Sequence, residues 1–223
     1  MKIYFILVEP TVPENIGAAA RAIKTMGFSR LRLVNPVDHL TRPSLWMAHA
    51  SHEILENARV YHSLNEAIFD IDFVIATSSK KRAVKFDYFA ISELADILKG
   101  KKKSINKVGI VFGKEKSGLK NSQIRKCDIV SYIPMISKYP SLNLAMTVMV
   151  YAFELSKLNL HRVGVKSTRQ EESVYKIFKN KLDRVLIDID IKQDSNLYNR
   201  ILERAAVLND NDIHLLLSII NRI

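Results

Sequence analysis

Apolar residues fall in short unbroken runs at Ile3 to Val8, Leu31 to Val34, Phe73 to Ala76, Val108 to Phe112 and Ile129 to Ile133. Runs of four to eight apolar residues predict strands buried on both faces. The stretches between them repeat at helical spacing and predict helices over Ile16 to Met26, Leu45 to Glu56, Leu64 to Phe69, Ile91 to Leu98, Ser122 to Lys126 and Leu142 to Leu160. Gly27 stands where a helix C-terminus favours glycine. Strand and helix in alternation imply an α/β domain on a largely parallel sheet.

After His161 the pattern changes. Arg162 to Gln170 is polar and reads as a linker, and the remaining residues carry helical patterns only. Helices are expected over Glu172 to Ile187, Leu197 to Val207 and Asn211 to Ile223, with Ser195 and Asp210 or Asn211 as caps. The chain thus divides into a sheet domain over residues 1–160 and a helical extension over 161–223. That extension could pack as its own bundle or against the first domain.

Of the 223 residues, 48% are hydrophobic, enough for a substantial core. No apolar run reaches the roughly 18 residues of a membrane span. The run Lys2 to Val8 meets Glu9-Pro10 without a small-residue cleavage site, so it is expected to be a cytoplasmic strand and not a signal peptide. A single cysteine, Cys127, excludes an internal disulfide and is expected to pack as a small hydrophobe.

The net charge is +11, and residues 80–126 hold 14 Lys/Arg against 4 Asp/Glu, so nearly the whole excess lies there. Lys80, Lys81 and Arg82 form one cluster, and Lys101, Lys102 and Lys103 another, both in expected loops. A concentrated cationic surface suits a polyanion, and these six residues are the expected RNA contacts.

Three segments carry candidate chemistry. The first, Asn15-Ile-Gly-Ala-Ala-Ala-Arg21, follows the first strand and opens a helix whose small residues permit close approach by a backbone, a nucleotide or a partner helix. It lacks the G-x-G-x-x-G of a dinucleotide site. The second, Phe112-Gly113-Lys-Glu115-Lys-Ser-Gly118-Leu119, follows the fourth run, at the strand end where open α/β sheets bind ligands. It is no P-loop, because Glu115 stands where Ser or Thr must bind magnesium. The third, Tyr139-Pro-Ser141-Leu142-Asn143-Leu-Ala145, opens the apolar helix, with Ser141 as the expected N-cap. His49 and His52 share a helical spacing, but no third ligand accompanies them, so no metal is expected.

Together, in this order and spacing, the three motifs resemble the SPOUT class of S-adenosylmethionine-dependent RNA methyltransferases. Within it they are most similar to the TrmH-like 2′-O-ribose group and its TrmJ branch. Thr77-Ser78 and the stretch Trp46 to Asn57 add to the likeness. Lys80 stands where relatives often carry arginine, and Ile136-Ser-Lys138 departs from their usual Asn-Pro-Glu.

The resemblance implies a sheet domain closed by a C-terminal trefoil knot, a homodimer packed through its first and last helices, and 2′-O-methylation of RNA. The typical substrate of the branch is a pyrimidine in the tRNA anticodon loop, with an rRNA substrate or a non-catalytic RNA-binding role as alternatives. It further implies that Arg21 activates the ribose hydroxyl while Asn15 and Ser141 or Asn143 orient the acceptor and its neighbouring phosphate. S-adenosylmethionine would lie among Thr77, Ser78, Gly113, Gly118 and the backbone of Ile133, Met135 and Leu142. Glu115 would position the cofactor or the first motif's loop.

Overall fold

The computed structural model describes residues 1–85, 87–136, 141–158 and 173–222. The expected linker, Tyr139-Pro140 and residues 137–138 of the departing stretch lie outside them.

Seven strands form one sheet in the order β3-β2-β1-β6-β4-β7-β5, with every neighbouring pair parallel. They are β1 (Lys2–Val8), β2 (Leu31–Val34), β3 (Arg59–Tyr61), β4 (Phe73–Thr77), β5 (Tyr88–Ala90), β6 (Lys107–Phe112) and β7 (Ile129–Tyr132). The five expected strands are present within a residue or two. The three-residue edge strands β3 and β5 are additional, and no residue of either is buried.

The helices of the sheet domain are α1 (Pro13–Thr25), α2 (Arg42–Ala48), α3 (His52–Glu56), α4 (Leu64–Ile68), α5 (Leu94–Gly100), α6 (Asn121–Ile124) and α7 (Leu144–Ser156). A 3₁₀ turn over Ile91–Glu93 leads into α5. The helix expected over Leu45 to Glu56 is two helices, because the chain turns at Ala50 with φ +55°. The break separates His49 from His52, whose ring faces the Leu45 carbonyl at 2.8 Å. Among the described residues no cluster of three or more His, Cys, Asp or Glu could hold a metal ion, and no helix is long and apolar enough to cross a membrane.

Two hydrophobic layers cover the sheet. One unites Phe5, Phe73 and Phe112 with Ile16 and Ile23 of α1 and with Val148, Tyr151 and Leu155 of α7. The other joins Ile6, Val111 and Val130 to α4 and α6. Cys127 lies in this second layer, where burial pushes its thiol up to about 12.

Three further helices complete the described chain: α8 (Val174–Asp188), α9 (Asn196–Ala206) and α10 (Asp210–Ile220). Ser195 caps α9 as expected, whereas Asn209, one residue ahead of either expected cap, caps α10. These helices pack against the sheet domain, since Tyr175, Phe178, Ala206 and Ile213 belong to the same core layer as Phe73 and Leu98.

Their docking overturns one expectation. Lys101 is fully buried and does not belong to an RNA surface. Its ammonium bonds the Leu208 carbonyl and lies over the rings of Tyr175 at 4.6 Å and Phe73 at 5.5 Å. Lys102 and Lys103 are exposed, but the turn that carries them precedes β6, whereas Gly113 follows it. Six residues of strand separate the two by about 20 Å.

Candidate active site

The first and second motifs meet where the α1 helix begins. Val12, the N-cap of α1, offers no side-chain oxygen to the helix amides. Glu115 supplies one from another loop. Its carboxylate accepts from the Thr11 N–H at 3.0 Å, the Thr11 hydroxyl at 2.9 Å, the Val12 N–H at 3.2 Å and Asn15 Nδ2 at 3.2 Å. Burial alone would push this carboxyl up, but the N–H donors and the facing helix dipole hold it below its ordinary value.

The third motif joins through Asn143, whose Nδ2 donates to Asn15 Oδ1 at 2.7 Å. Asn143 Oδ1 accepts from the Ala145 N–H at 2.8 Å, so Asn143, and not Ser141, caps α7. Asn15, Glu115 and Asn143 form one chain of hydrogen bonds that locks three distant segments to each other. The sequence groups these residues as motifs; the bonds among them arise only from the fold.

Gly113 is required by the same assembly. A Cβ there would lie inside the peptide between Gly118 and Leu119, so the 113–119 turn closes only on a bare backbone. Gly118 completes the turn at φ +66°, donating its N–H to the Lys114 carbonyl at 2.8 Å. Gly17 has the corresponding role on α1, since a Cβ there would strike the Ser44 carbonyl of α2. The small face of α1 is therefore occupied within the chain. Gly17, Ala19 and Ala20 are buried, and only Ala18 keeps partial exposure. Of the close approaches that these small residues permit, the backbone of α2 is the one the fold supplies.

At the carboxyl ends of β4, β6 and β7 lies a cleft of about 530 Å³. Thr77, Ser78, Lys80 and Arg82 form one wall, Gly113 to Leu119 a second, and Ile133, Met135, Ser141 and Leu142 a third. All eight residues expected at the cofactor line it, together with Ser141. Lys81 lies in a smaller hollow, of about 320 Å³, with Tyr88 and Tyr132. Asn15, Asn143 and Arg21 do not line the cleft; Asn15 reaches its wall through Glu115, and Arg21 is exposed on α1.

The floor was not foreseen. Leu144, Thr147 and Tyr151 reach it from α7 at spacings of three and four residues, one helix face that the sequence could have revealed. The Tyr151 hydroxyl donates to Ser131 Oγ at 3.0 Å, and its ring meets Phe112 edge-on at 5.4 Å. Lys116 and Ser117 add exposed polar groups to the rim, and Lys114 and Lys120 pair with Glu9 at 3.6 and 2.9 Å.

The SpoU rRNA Methylase family signature matches residues 2–153. The uncharacterized tRNA/rRNA methyltransferase LasT of Escherichia coli K12 is 36% identical over 217 residues, spanning 97% of this chain and 94% of that protein. The tRNA (cytidine-2′-O-)-methyltransferase TrmJ of Methanocaldococcus jannaschii is 42% identical over 154 residues, 67% of this chain and 65% of that protein. The crystal structure of TrmJ from Z. mobilis ZM4 superimposes with a TM-score of 0.67 at 26% identity, covering 100% of this chain and 99% of that one. With the family signature extending from β1 into α7 and the motifs gathered at the carboxyl edge of the sheet, the chain belongs to the SpoU rRNA methylase family.

Proposed function

We propose that this protein is an S-adenosylmethionine-dependent 2′-O-ribose methyltransferase acting on a tRNA pyrimidine, cytidine or uridine, in the anticodon loop. The observation that carries the reading is the cleft itself, where three segments remote in sequence supply the walls of one site at the strand ends. The TrmJ relative's activity supports the substrate, and a tRNA substrate implies a cytoplasmic setting.

The residues present fit the cofactor. The cleft has the volume of a small-molecule site. Ile133, Met135, Leu142 and Leu144 offer apolar surface for a purine, and Gly113 and Gly118 leave the backbone bare beside them. Thr77 and Ser78 add hydroxyls at one end. When bound, S-adenosylmethionine would supply an electrophilic methyl group on a sulfonium. Arg21, a permanent cation, suits the stabilisation of negative charge developing on the ribose oxygen better than removal of its proton. Ser141, exposed at the third wall, is the side chain available to orient the acceptor. Asn15 and Asn143 hold the walls in register.

Arg21 does not line the cleft of its own chain, and a homodimer through α1 and α7 would complete the site. α7 supports this pairing. It carries one charged residue, Glu154, and exposes Met146 and Phe153 on a second apolar stripe seven residues apart. We further propose that the sheet domain is closed by a C-terminal trefoil knot, to which the cleft residues Ile133, Met135, Ser141 and Leu142 belong. Lys80, Lys81, Arg82 and Lys116 form the adjoining basic rim, where RNA phosphate would lie.

The test separates binding from transfer. Arg21→Ala should lower methyl transfer to tRNA by about a hundredfold or more while calorimetry finds cofactor affinity unchanged. Equal loss of both would make Arg21 structural. Transfer to rRNA fragments and not to tRNA would move the assignment to the rRNA-modifying members of the family.

A further inference from the structure

The connection from β4 to β5, described at residues 78–85 and 87, leads from the carboxyl edge of the sheet to its amino edge, with no helix among those described residues. It therefore has one end at the cleft and the other beside the C-terminal helices, and each end is gripped.

At the cleft, Arg82 spans to the second wall. Its guanidinium donates to the Leu119 carbonyl at 2.6 Å, to the Ser117 carbonyl at 3.3 Å and to Asn121 Oδ1 at 3.3 Å. The Tyr88 hydroxyl bonds both the N–H and the carbonyl of Arg82, at 2.8 and 3.1 Å, fixing the backbone from which the planar fork projects. This clip holds the last residues of the glycine turn that forms the cleft's second wall.

At the far end, α9 presents Arg200, Glu203 and Arg204, spaced to share one face. Glu203 is only 3% exposed. Its carboxylate lies 3.9 Å from Lys85 Nζ and accepts from the Asp87 N–H at 3.3 Å. The Asp87 carboxylate in turn accepts from Arg200 at 2.9 Å and Arg204 at 3.2 Å. A glutamate so deeply buried has to be held by partners. Lys85 and Asp87, which it meets from the sheet domain, both belong to this crossover connection.

We propose that Glu203 is a positioning residue for the methyl-transfer site, acting from α9 through Lys85 and Asp87 to set Arg82 on the 117–119 carbonyls. The C-terminal helices then tune the cofactor cleft directly. The inference rests on the cleft being the cofactor site, as proposed above. A role confined to helix packing would lower stability and leave the cleft unchanged.

A double-mutant cycle distinguishes the two. S-adenosylhomocysteine, the demethylated cofactor, is titrated by calorimetry into wild type, Glu203→Gln, Arg82→Ala and the double variant, with thermal melts alongside. Each single change should weaken binding by about fivefold or more, and the double variant should bind no worse than Arg82→Ala alone. Where Glu203→Gln fails to fold, Asp87→Asn replaces it, since it weakens the pairs with Arg200 and Arg204 while leaving the Glu203 carboxylate the Asp87 N–H. Wild-type affinity in the α9 variant despite a lower melting point, or effects that multiply in the double, would overturn the proposal alone. Absence of binding to wild type would overturn the reading of the cleft and this proposal with it.

Discussion

The two ends of the parallel sheet carry lysines from the same basic stretch, and the fold assigns them different work. At the carboxyl edge Lys80, Lys81 and Lys116 remain exposed around a cleft. At the amino edge Lys101 disappears beneath the C-terminal helices, on two aromatic rings and the Leu208 carbonyl between α9 and α10. Charge in a sequence therefore marks a partner only where tertiary structure leaves it in water. A lysine can bury its stem and head together if aromatic faces and a carbonyl replace the lost hydration.

The comparison breaks most severely at the glycine turn. Gly113→Ala should reduce cofactor affinity by about a hundredfold, near 3 kcal/mol, because the added methyl cannot enter the 118–119 peptide without opening the turn. Calorimetric titration checks this. Near wild-type affinity would mean that the turn is not part of the cofactor wall.

At the other end the expected signature is a pH dependence of stability. Burial lowers the Lys101 ammonium from 10.5 to about 8, against partial support from Asp128 and Asp210. Below pH 8 folded and unfolded chains both carry the proton, and the cost of burying the charge is present in full. Between about 8 and 10.5 the folded lysine is already neutral while the unfolded one is still protonated, so stability rises with pH across that window. Relative to Lys101→Met, wild type should gain about 3 kcal/mol between these limits in denaturant titrations. Parallel curves would show that the ammonium is not buried as described.

The smallest effect is on RNA affinity. Replacing Lys80 and Lys81 with alanine should weaken tRNA binding by about tenfold and reduce the slope of log affinity against log salt by between one and two. The same change at Lys102 and Lys103 should leave that slope unaltered. Equal effects from both pairs would extend the RNA path over the full length of the sheet.

Legibility in the sequence divides along the same line. The central strands were legible because burial on both faces writes an unbroken apolar run, as in Val108 to Phe112. β3 and β5 were not, since an edge strand of three partly exposed residues leaves no period to read. The break between α2 and α3 carries neither glycine nor proline, and Ala50 takes a left-handed conformation for reasons outside its own identity. Pro13, by contrast, marked the true start of α1, three residues before the apolar pattern begins.

At the site, the residue types of the cleft walls were legible as motifs, while the linkage among them was not. Glu115 caps a helix about a hundred residues away in the chain, and no local pattern encodes such a bond. Asn143 took the capping place that Ser141 was expected to hold, leaving the serine exposed at the cleft. The burial of Lys101 is illegible for a related reason. It depends on helices that begin some 70 residues later, and a run of three lysines gives no sign of which one they will cover.

The central claim is that the carboxyl-edge cleft supports methyl transfer to a ribose hydroxyl. It is tested most directly by incubating the full chain with labelled S-adenosylmethionine and unmodified tRNA, then mapping the label by nuclease digestion and mass spectrometry. The expected result is one 2′-O-methylated pyrimidine in the anticodon loop, lost in Arg21→Ala. Label on a base, or no transfer to either tRNA or rRNA from a protein that binds the cofactor, would contradict it.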